Sequence, residues 1–334
     1  SISIEIEDGG ISKIKVSDNG CGMTKENLEK CILPHATSKI TTVDDLERIG
    51  TLGFRGEALS SICACAKVCF ISKTENEDIG HKLVCNGGEV ESIIEVGTVT
   101  GTTVIVENLF YCIPARAKFL KKPKQEESEI TNIVSRLILA NPEVSIKYTA
   151  NNKTIFHSAG TGLKDAIFCV YNKETVDNII PLEFENSLIK VSGFISKPSF
   201  TKANRTYQTL IINKRYVINY SISSAIQKAF EHFLMKNNFP FYVIHMQIAL
   251  DKIDVNVHPT KLEVKFEDGG RIYAMFLNAV SDVLFNVNTL KEFKNFKTET
   301  REETNSCTTS EMPLFTLKEN EGKNYEEKQD DVNN

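Results

Sequence analysis

DNGCGM at 18–23, followed by GTLGFRGEAL at 50–59, decides how this chain is read. Asp18 stands at the end of a strand-like run. A carboxylate there accepts a hydrogen bond from an exocyclic amine such as adenine N6, and it rejects guanine, which carries an oxygen at that place. Gly20 and Gly22 let the backbone approach a flat base where a side chain would block it. Read alone, Asp18-Asn19-Gly20 equally suits a hairpin turn. In 50–59, Gly50, Gly53 and Gly56 precede a helix expected at 57–66. Backbone N–H groups in such a loop, with the positive end of the helix behind them, form an anion cradle from Gly53, Phe54, Arg55, Gly56, Glu57, Ala58 and Leu59. Neither G-x-x-x-x-G-K-[ST] nor G-x-G-x-x-G is present, so the loop is a phosphate lid of another class. Glu57 reads as a structural cap at the helix start rather than as a base. Between the two stretches, HATSK places Thr37, Ser38 and Lys39 together, hydroxyls and a cation suited to phosphate or ribose, though also to a helix end. Gly101 and Thr102 open a later strand, from which a hydroxyl can reach the edge of a base.

Working outward, Ile2, Ile4 and Ile6 alternate with polar residues, the period of a half-buried strand. Gly9 and Gly10 allow a turn, and a second strand at 14–16 delivers its far end to Asp18. Thr24 is the expected N-cap of a short helix, with Asn27 three residues on. Strands are expected near 67–73, 81–86, 90–95 and 102–107. Ile130, Ile133, Val134, Leu137 and Ile138 give 126–140 helical spacing, and Pro142 stops that helix. The glycine-rich SAGTGL at 158–163 is the expected domain boundary. Beyond it the pattern predicts strands at 188–195, 207–213 and 241–250, a helix at 221–236, and strands IDVNV and LEVKF on either side of Pro259. A closing helix at 269–286 carries Ile272, Met275, Phe276, Ala279, Val280 and Val283 on one face.

The 334 residues carry a net charge of −5, so the chain as a whole is no basic nucleic-acid binder. Residues 289–334 hold 7 basic and 11 acidic side chains and few apolar ones, the composition of a disordered linker, with MPLF at 312–315 as a candidate docking motif. No apolar run is long enough to span a membrane, and no signal peptide is visible. The nine cysteines lack paired C-x-x-C spacing. They read as reduced, mostly buried thiols of a cytoplasmic protein.

The ordered set DNGCGM, HATSK, GFRGEAL, GTT and FYCIPARAKFLKK resembles the MutL family, within the ATPase superfamily shared with gyrase, a heat-shock chaperone and histidine kinases. The resemblance implies an α+β chain. A Bergerat-type ATPase α/β sandwich would occupy 1–160, a ribosomal-protein-like α/β transducer domain 161–288, and the linker 289–334. It puts Asp18 on adenine N6, Gly22 beside the base, Thr102 as a second contact and 53–59 over the phosphates of ATP. In VNVHPTKLEVKF it makes Lys261 the lysine that reaches the γ-phosphate. The superfamily's first motif, roughly E-x-x-x-N-x-x-D-A, is not present. The catalytic glutamate and the Mg²⁺ ligand are therefore expected before Ser1, and little hydrolysis is expected of the chain as written. Cys112-Ile113 stands where the family usually has Asn-Thr.

Arg116, Lys118, Lys121, Lys122 and Lys124 crowd one short stretch and can neutralise DNA phosphates without reading sequence. They also suit a solvated helix start. Lys197, Lys202, Arg205, Lys214 and Arg215 form a looser second set, of which Arg215 is the candidate DNA contact. The resemblance adds a mismatch sensor of the MutS type and a homodimer of the full-length protein as partners, with no membrane. A DNA mismatch-repair switch is therefore expected. One alternative is a topoisomerase II ATPase subunit, against which GFRGEAL argues. The other is a non-hydrolysing DNA-binding scaffold.

Overall fold

The computed structural model describes residues 1–34, 56–235, 237–254 and 264–302, with side chains of the last helix described as far as Asn286. The opening hairpin pairs β1 (Ile2–Glu7) with β2 (Lys13–Asp18), Ile2 facing Asp18. Its turn is tight because it must be: Gly9 has φ +67°, and a Cβ there would lie 2.2 Å from the Pro123 carbonyl oxygen. The hairpin is part of an eight-stranded sheet with β3 (Lys67–Lys73), β4 (Gly80–Asn86), β5 (Glu89–Val96), β6 (Gly101–Glu107), β7 (Ile146–Ala150) and β8 (Lys153–Ser158). The spatial order is β5-β4-β3-β6-β2-β1-β7-β8, and β1–β7 is its parallel pair. On one face, α1 (Lys25–Lys30) and α2 (Ala58–Cys63) bury Leu28 and Cys63 against Val68, Phe70, Leu83 and Val106. Thr24 caps α1 as expected, accepting from the Asn27 amide.

A second sheet of five strands follows, built from β9 (Ile179–Glu185), β10 (Ile189–Ser196), β12 (Gln208–Ile212), β13 (Arg215–Val217) and β15 (Tyr242–Ile248) in the order β13-β12-β15-β10-β9. Two short strands, β11 (Thr201–Lys202) and β14 (Phe239–Pro240), pair apart from it. Pro181, which cannot donate to a ladder, sits in the edge strand β9. One face of this sheet buries α7 (Tyr220–Ala229) and α8 (Gly269–Glu302), with Ile226, Ile272, Phe276 and Val280 in one cluster. The helix α7 stops well short of the expected 236. The helix α8 runs past the expected 286 into the stretch expected to be linker, and 303–334 lie outside the described residues.

Residues Ser1–Asn286 pack as one unit because a third apolar cluster is common to both sheets. Ile4, Ile6 and Tyr148 of the first meet Ile211 and Val243 of the second, and Phe241 just before β15, through α4 (Pro123–Ala140) and α5 (Leu163–Val170), which the short α6 (Lys173–Asp177) follows. Pro123 opens α4 at a position where its missing N–H costs nothing. The buried face of α4 differs from the apolar stripe in the sequence. Ile133 and Leu137 are exposed, and Thr131 turns inward to hydrogen-bond the Tyr148 hydroxyl at 3.2 Å. Beside it, His245 Nε2 of β15 donates to the Leu139 carbonyl at 2.8 Å, joining the second sheet to the end of α4. Burial pushes this imidazole below its ordinary value, so the neutral ring is favoured.

Candidate functional site

The registers place four polar residues in a row across neighbouring strands. Asp18 is opposite Thr102, Thr102 is opposite Ser72, and Ser72 is opposite His81. Directly opposed residues share a face of the sheet. This is the face carrying Val68, Phe70 and Leu83, against which α1 and α2 pack.

Asp18 is half-buried at the last position of β2. Its Oδ1 accepts from the Gly20 amide at 2.8 Å and from the Thr102 amide at 3.4 Å. Among the described residues, no donor reaches Oδ2. The carboxylate is thus held by its own turn, as Asp side chains commonly are, with one acceptor unspent. The glycines around it are imposed by the chain. Gly22 has φ +73°, and a Cβ on it would lie 2.0 Å from the Lys73 carbonyl oxygen. Gly101 has φ +126°, and a Cβ there would lie 2.1 Å from the Asp18 carbonyl oxygen. A Cβ on Gly20 would press on Asp18 Oδ1 at 2.8 Å. The need for glycine at 22 therefore comes from β3 itself, a reason different from the approach of a base.

Ser72 fastens these pieces together and was not singled out by the sequence reading. It is 0% exposed. Its Oγ accepts from the Met23 amide at 2.8 Å, donates to the Gly101 carbonyl at 3.1 Å, and lies 3.0 Å from Thr102 Oγ1. With the Ser72 proton on Gly101, the Thr102 hydroxyl completes the set by donating to Ser72. The signal was in the sequence: the inward positions of KVCFISK run Val68, Phe70, Ser72, and a serine at a core position is the informative departure.

Of the expected phosphate lid, Gly53, Phe54 and Arg55 lie outside the described residues, as do Thr37, Ser38, Lys39 and Lys261. Gly56 is described, with φ +62°, a conformation that favours glycine. Glu57 occupies the N-cap position of α2, but its side chain does not cap the helix. Its carbonyl instead accepts from Ser61 N and Ser60 Oγ, both at 3.0 Å. Ala58 and Leu59 form the first turn of α2.

Behind α2 the thiols are quiet. Burial, then the neighbouring Cys85, pushes Cys63 up to about 12, and burial pushes Cys31 up to about 11. The described cysteines form no disulfide, and among the described residues no group of three or more His, Cys, Asp or Glu could hold a metal ion. Cys112 is exposed, its thiol donating to the Ala64 carbonyl at 3.5 Å.

The basic segment follows at once. Arg116 lies in α3 (Pro114–Ala117), Lys118 is its C-cap residue, Lys122 is the N-cap residue of α4, and Lys124 lies in the first turn of α4; all are exposed. Lys121 is the member tied down, 3.1 Å from Glu129. Arg215 is half-buried in β13, where the neighbouring Tyr216 ring lies under the Arg136 guanidinium of α4 at 4.2 Å. No described helix is long and apolar enough to cross a membrane.

Residues 1–98 match the family model described as histidine kinase-, DNA gyrase B- and HSP90-like ATPase, a stretch that includes Asp18, Ser72 and His81 and ends before Thr102. Residues 167–285 match the model for DNA mismatch repair protein, C-terminal domain. The DNA mismatch repair protein MutL of Clostridium botulinum (strain Kyoto / Type A2) is 44% identical over 298 residues, 89% of this chain. The chain belongs to the MutL family. It spans 44% of that relative's length, so the family is matched along about half of its extent. Among solved structures, the N-terminal domain of a DNA repair protein superposes with a TM-score of 0.72 at 25% identity, covering 86% of this chain and 90% of that one. The Aquifex aeolicus MutL ATPase domain complexed with ADP superposes at 0.57 and 24% identity, over 75% and 85% of the two chains, which shows a shared fold. The mixed α/β architecture is thus that of the MutL ATPase region.

Proposed function

We propose that this chain is the nucleotide-responsive part of a DNA mismatch-repair protein, and that the Asp18 row recognises adenine. The open Oδ2 of Asp18 carries the reading. Two backbone amides fix the carboxylate without saturating it, and an amine such as adenine N6 is the donor that completes it. The Thr102 hydroxyl borders the same place. Gly20, Gly22 and Gly101 hold the backbone around it, and 53–59 supplies the phosphate cover, with Thr37, Ser38 and Lys39 on the ribose or phosphate side. Lys261 contacts the γ-phosphate and reports triphosphate to the part of the chain beyond 160. ATP enters with Mg²⁺ held by residues other than those described. Nucleotide binding closes the protein on DNA through Arg116, Lys118, Lys121, Lys122, Lys124 and Arg215, contacts that ignore sequence and so suit action at any mismatch. The full protein then works as a cytoplasmic homodimer recruited by a mismatch sensor of the MutS type. The solved ADP complex of the Aquifex relative and the ATPase family match support this assignment.

Competition binding tests it. A labelled adenine nucleotide on the 334-residue chain is displaced by ATP and ADP and not by GTP at the same concentration. Displacement by GTP as effective as by ATP contradicts the reading.

A further inference from the structure

Aromatic rings stand among cations both at the β11–β14 pair and in the segment 116–124, and these two places are built differently. At the β11–β14 pair the rings are already covered. Lys202 Nζ lies 4.2 Å from the Phe200 centroid and 5.1 Å from Tyr207, and the Arg205 guanidinium lies 5.0 Å from Phe239. In the segment 116–124, Phe119 is 85% exposed, and among the described residues no cation or ring lies over it. It is nevertheless not on a loose loop. Its amide donates to the Arg116 carbonyl at 3.0 Å, Leu120 N donates to Ala117 at 3.3 Å, and the segment is bounded by Pro114 and Pro123. Arg116, Lys118 and Lys122 around it are exposed, and no carboxylate is paired with them among the described residues. A bare aromatic face, held on a fixed turn and ringed by unneutralised cations, is the pairing that binds unpaired bases: cations track the phosphates and the ring takes a base face.

We propose that Phe119 is a base-stacking residue and that it gives this segment a preference for single-stranded over duplex DNA. The proposal rests on the DNA-binding reading above and adds the strand state that the basic segment selects. A duplex keeps its base faces covered, and opening one step costs a few kcal/mol in general, so the ring gains nothing there unless it wedges the stack apart.

The chain contains no tryptophan, so Phe119→Trp introduces a single indole whose fluorescence reports stacking. On titration with oligo(dT), the indole is quenched in step with the anisotropy of a labelled oligonucleotide. Phe119→Ala weakens oligo(dT) binding by about 5- to 100-fold, the range that one stacked base represents, and leaves the salt slope and duplex affinity near those of the parent. An exposed ring carries no fold stability, so the melting temperature of both variants matches the parent. Binding of oligo(dT) with an unquenched indole and an indifferent alanine variant overturns the stacking role. Equal quenching by duplex overturns the strand preference in favour of a wedge, and a response to anionic phospholipid vesicles without one to oligo(dT) assigns the surface to a membrane instead. If Lys122→Glu weakens binding while Phe119→Ala does not, this proposal alone fails. If the parent binds no DNA at all, the DNA reading fails with it.

Discussion

The polar side chains at the junction of the sheets and those in the Asp18 row are completed to different degrees. At the junction of the sheets, His245 spends its Nε2–H on the Leu139 carbonyl and Thr131 meets the Tyr148 hydroxyl. Apolar neighbours from both sheets close around them. In the Asp18 row, Ser72 is fully buried and hydrogen-bonded, yet two strands away the carboxylate keeps one oxygen without a donor among the described residues. Burying a polar group without a partner is costly, and the same row also carries His81, whose buried Nδ1 has no hydrogen-bond partner among the described residues. The junction closes on its own partners; the row leaves Asp18 Oδ2 without a donor among the described residues.

Substitutions that sharpen the contrast differ in size. Gly22→Ala has the largest expected effect. It forces a left-handed backbone on alanine and drives a methyl group into the Lys73 peptide, a cost of roughly 2–4 kcal/mol seen as a lower midpoint in urea unfolding, with nucleotide affinity lost in parallel. Unchanged stability would mean that the loop does not pack on β3. Ser72→Ala leaves the Met23 amide and the Gly101 carbonyl unpaired and costs about 1–3 kcal/mol. Because those groups position Asp18 and Thr102, nucleotide affinity falls as well, whereas a defect in stability alone would detach Ser72 from the site.

The junction answers through pH. His245 has a folded value below 6.5, so its contribution is fully present above 6.5 and is lost as pH falls through that value toward the lower folded one, where the unfolded chain takes up the proton first. Thermal stability therefore falls on acidification below 6.5. Most of that slope disappears in His245→Gln, at a loss of about 1 kcal/mol at neutral pH and with nucleotide affinity unaffected. A slope that survives the substitution places the titration elsewhere.

Much of this was legible in advance because the relevant constraints are local. Alternation at Ile2, Ile4 and Ile6 and the cap at Thr24 state their conformations within a few residues. What was not legible depends on partners distant in sequence. Thr131 faces inward because Tyr148 and the second sheet are there, so apolar counting set Ile133 and Leu137 on a face that solvent occupies. The strands β7, β8 and β9 carry weak patterns of their own and form where β1 and β10 offer edges to them. The helix α5 begins one residue after Gly162, inside the glycine-rich run read as a domain boundary. Within the row, Asp18 and Thr102 stand in motifs visible in the sequence, Ser72 was hidden by its modest chemistry, and the Glu57 side chain does not cap the helix it begins.

The most direct measurement of the open acceptor compares ATP with purine riboside triphosphate, which lacks only the 6-amino group, on the parent and on Asp18→Ala. The parent should bind ATP more tightly by about 10- to 100-fold, the worth of one hydrogen bond to a charged group, and the variant should bind both nucleotides equally and weakly while melting close to the parent. A parent that does not distinguish the two, or a variant that still does, would mean that the Asp18 carboxylate is not what reads the base.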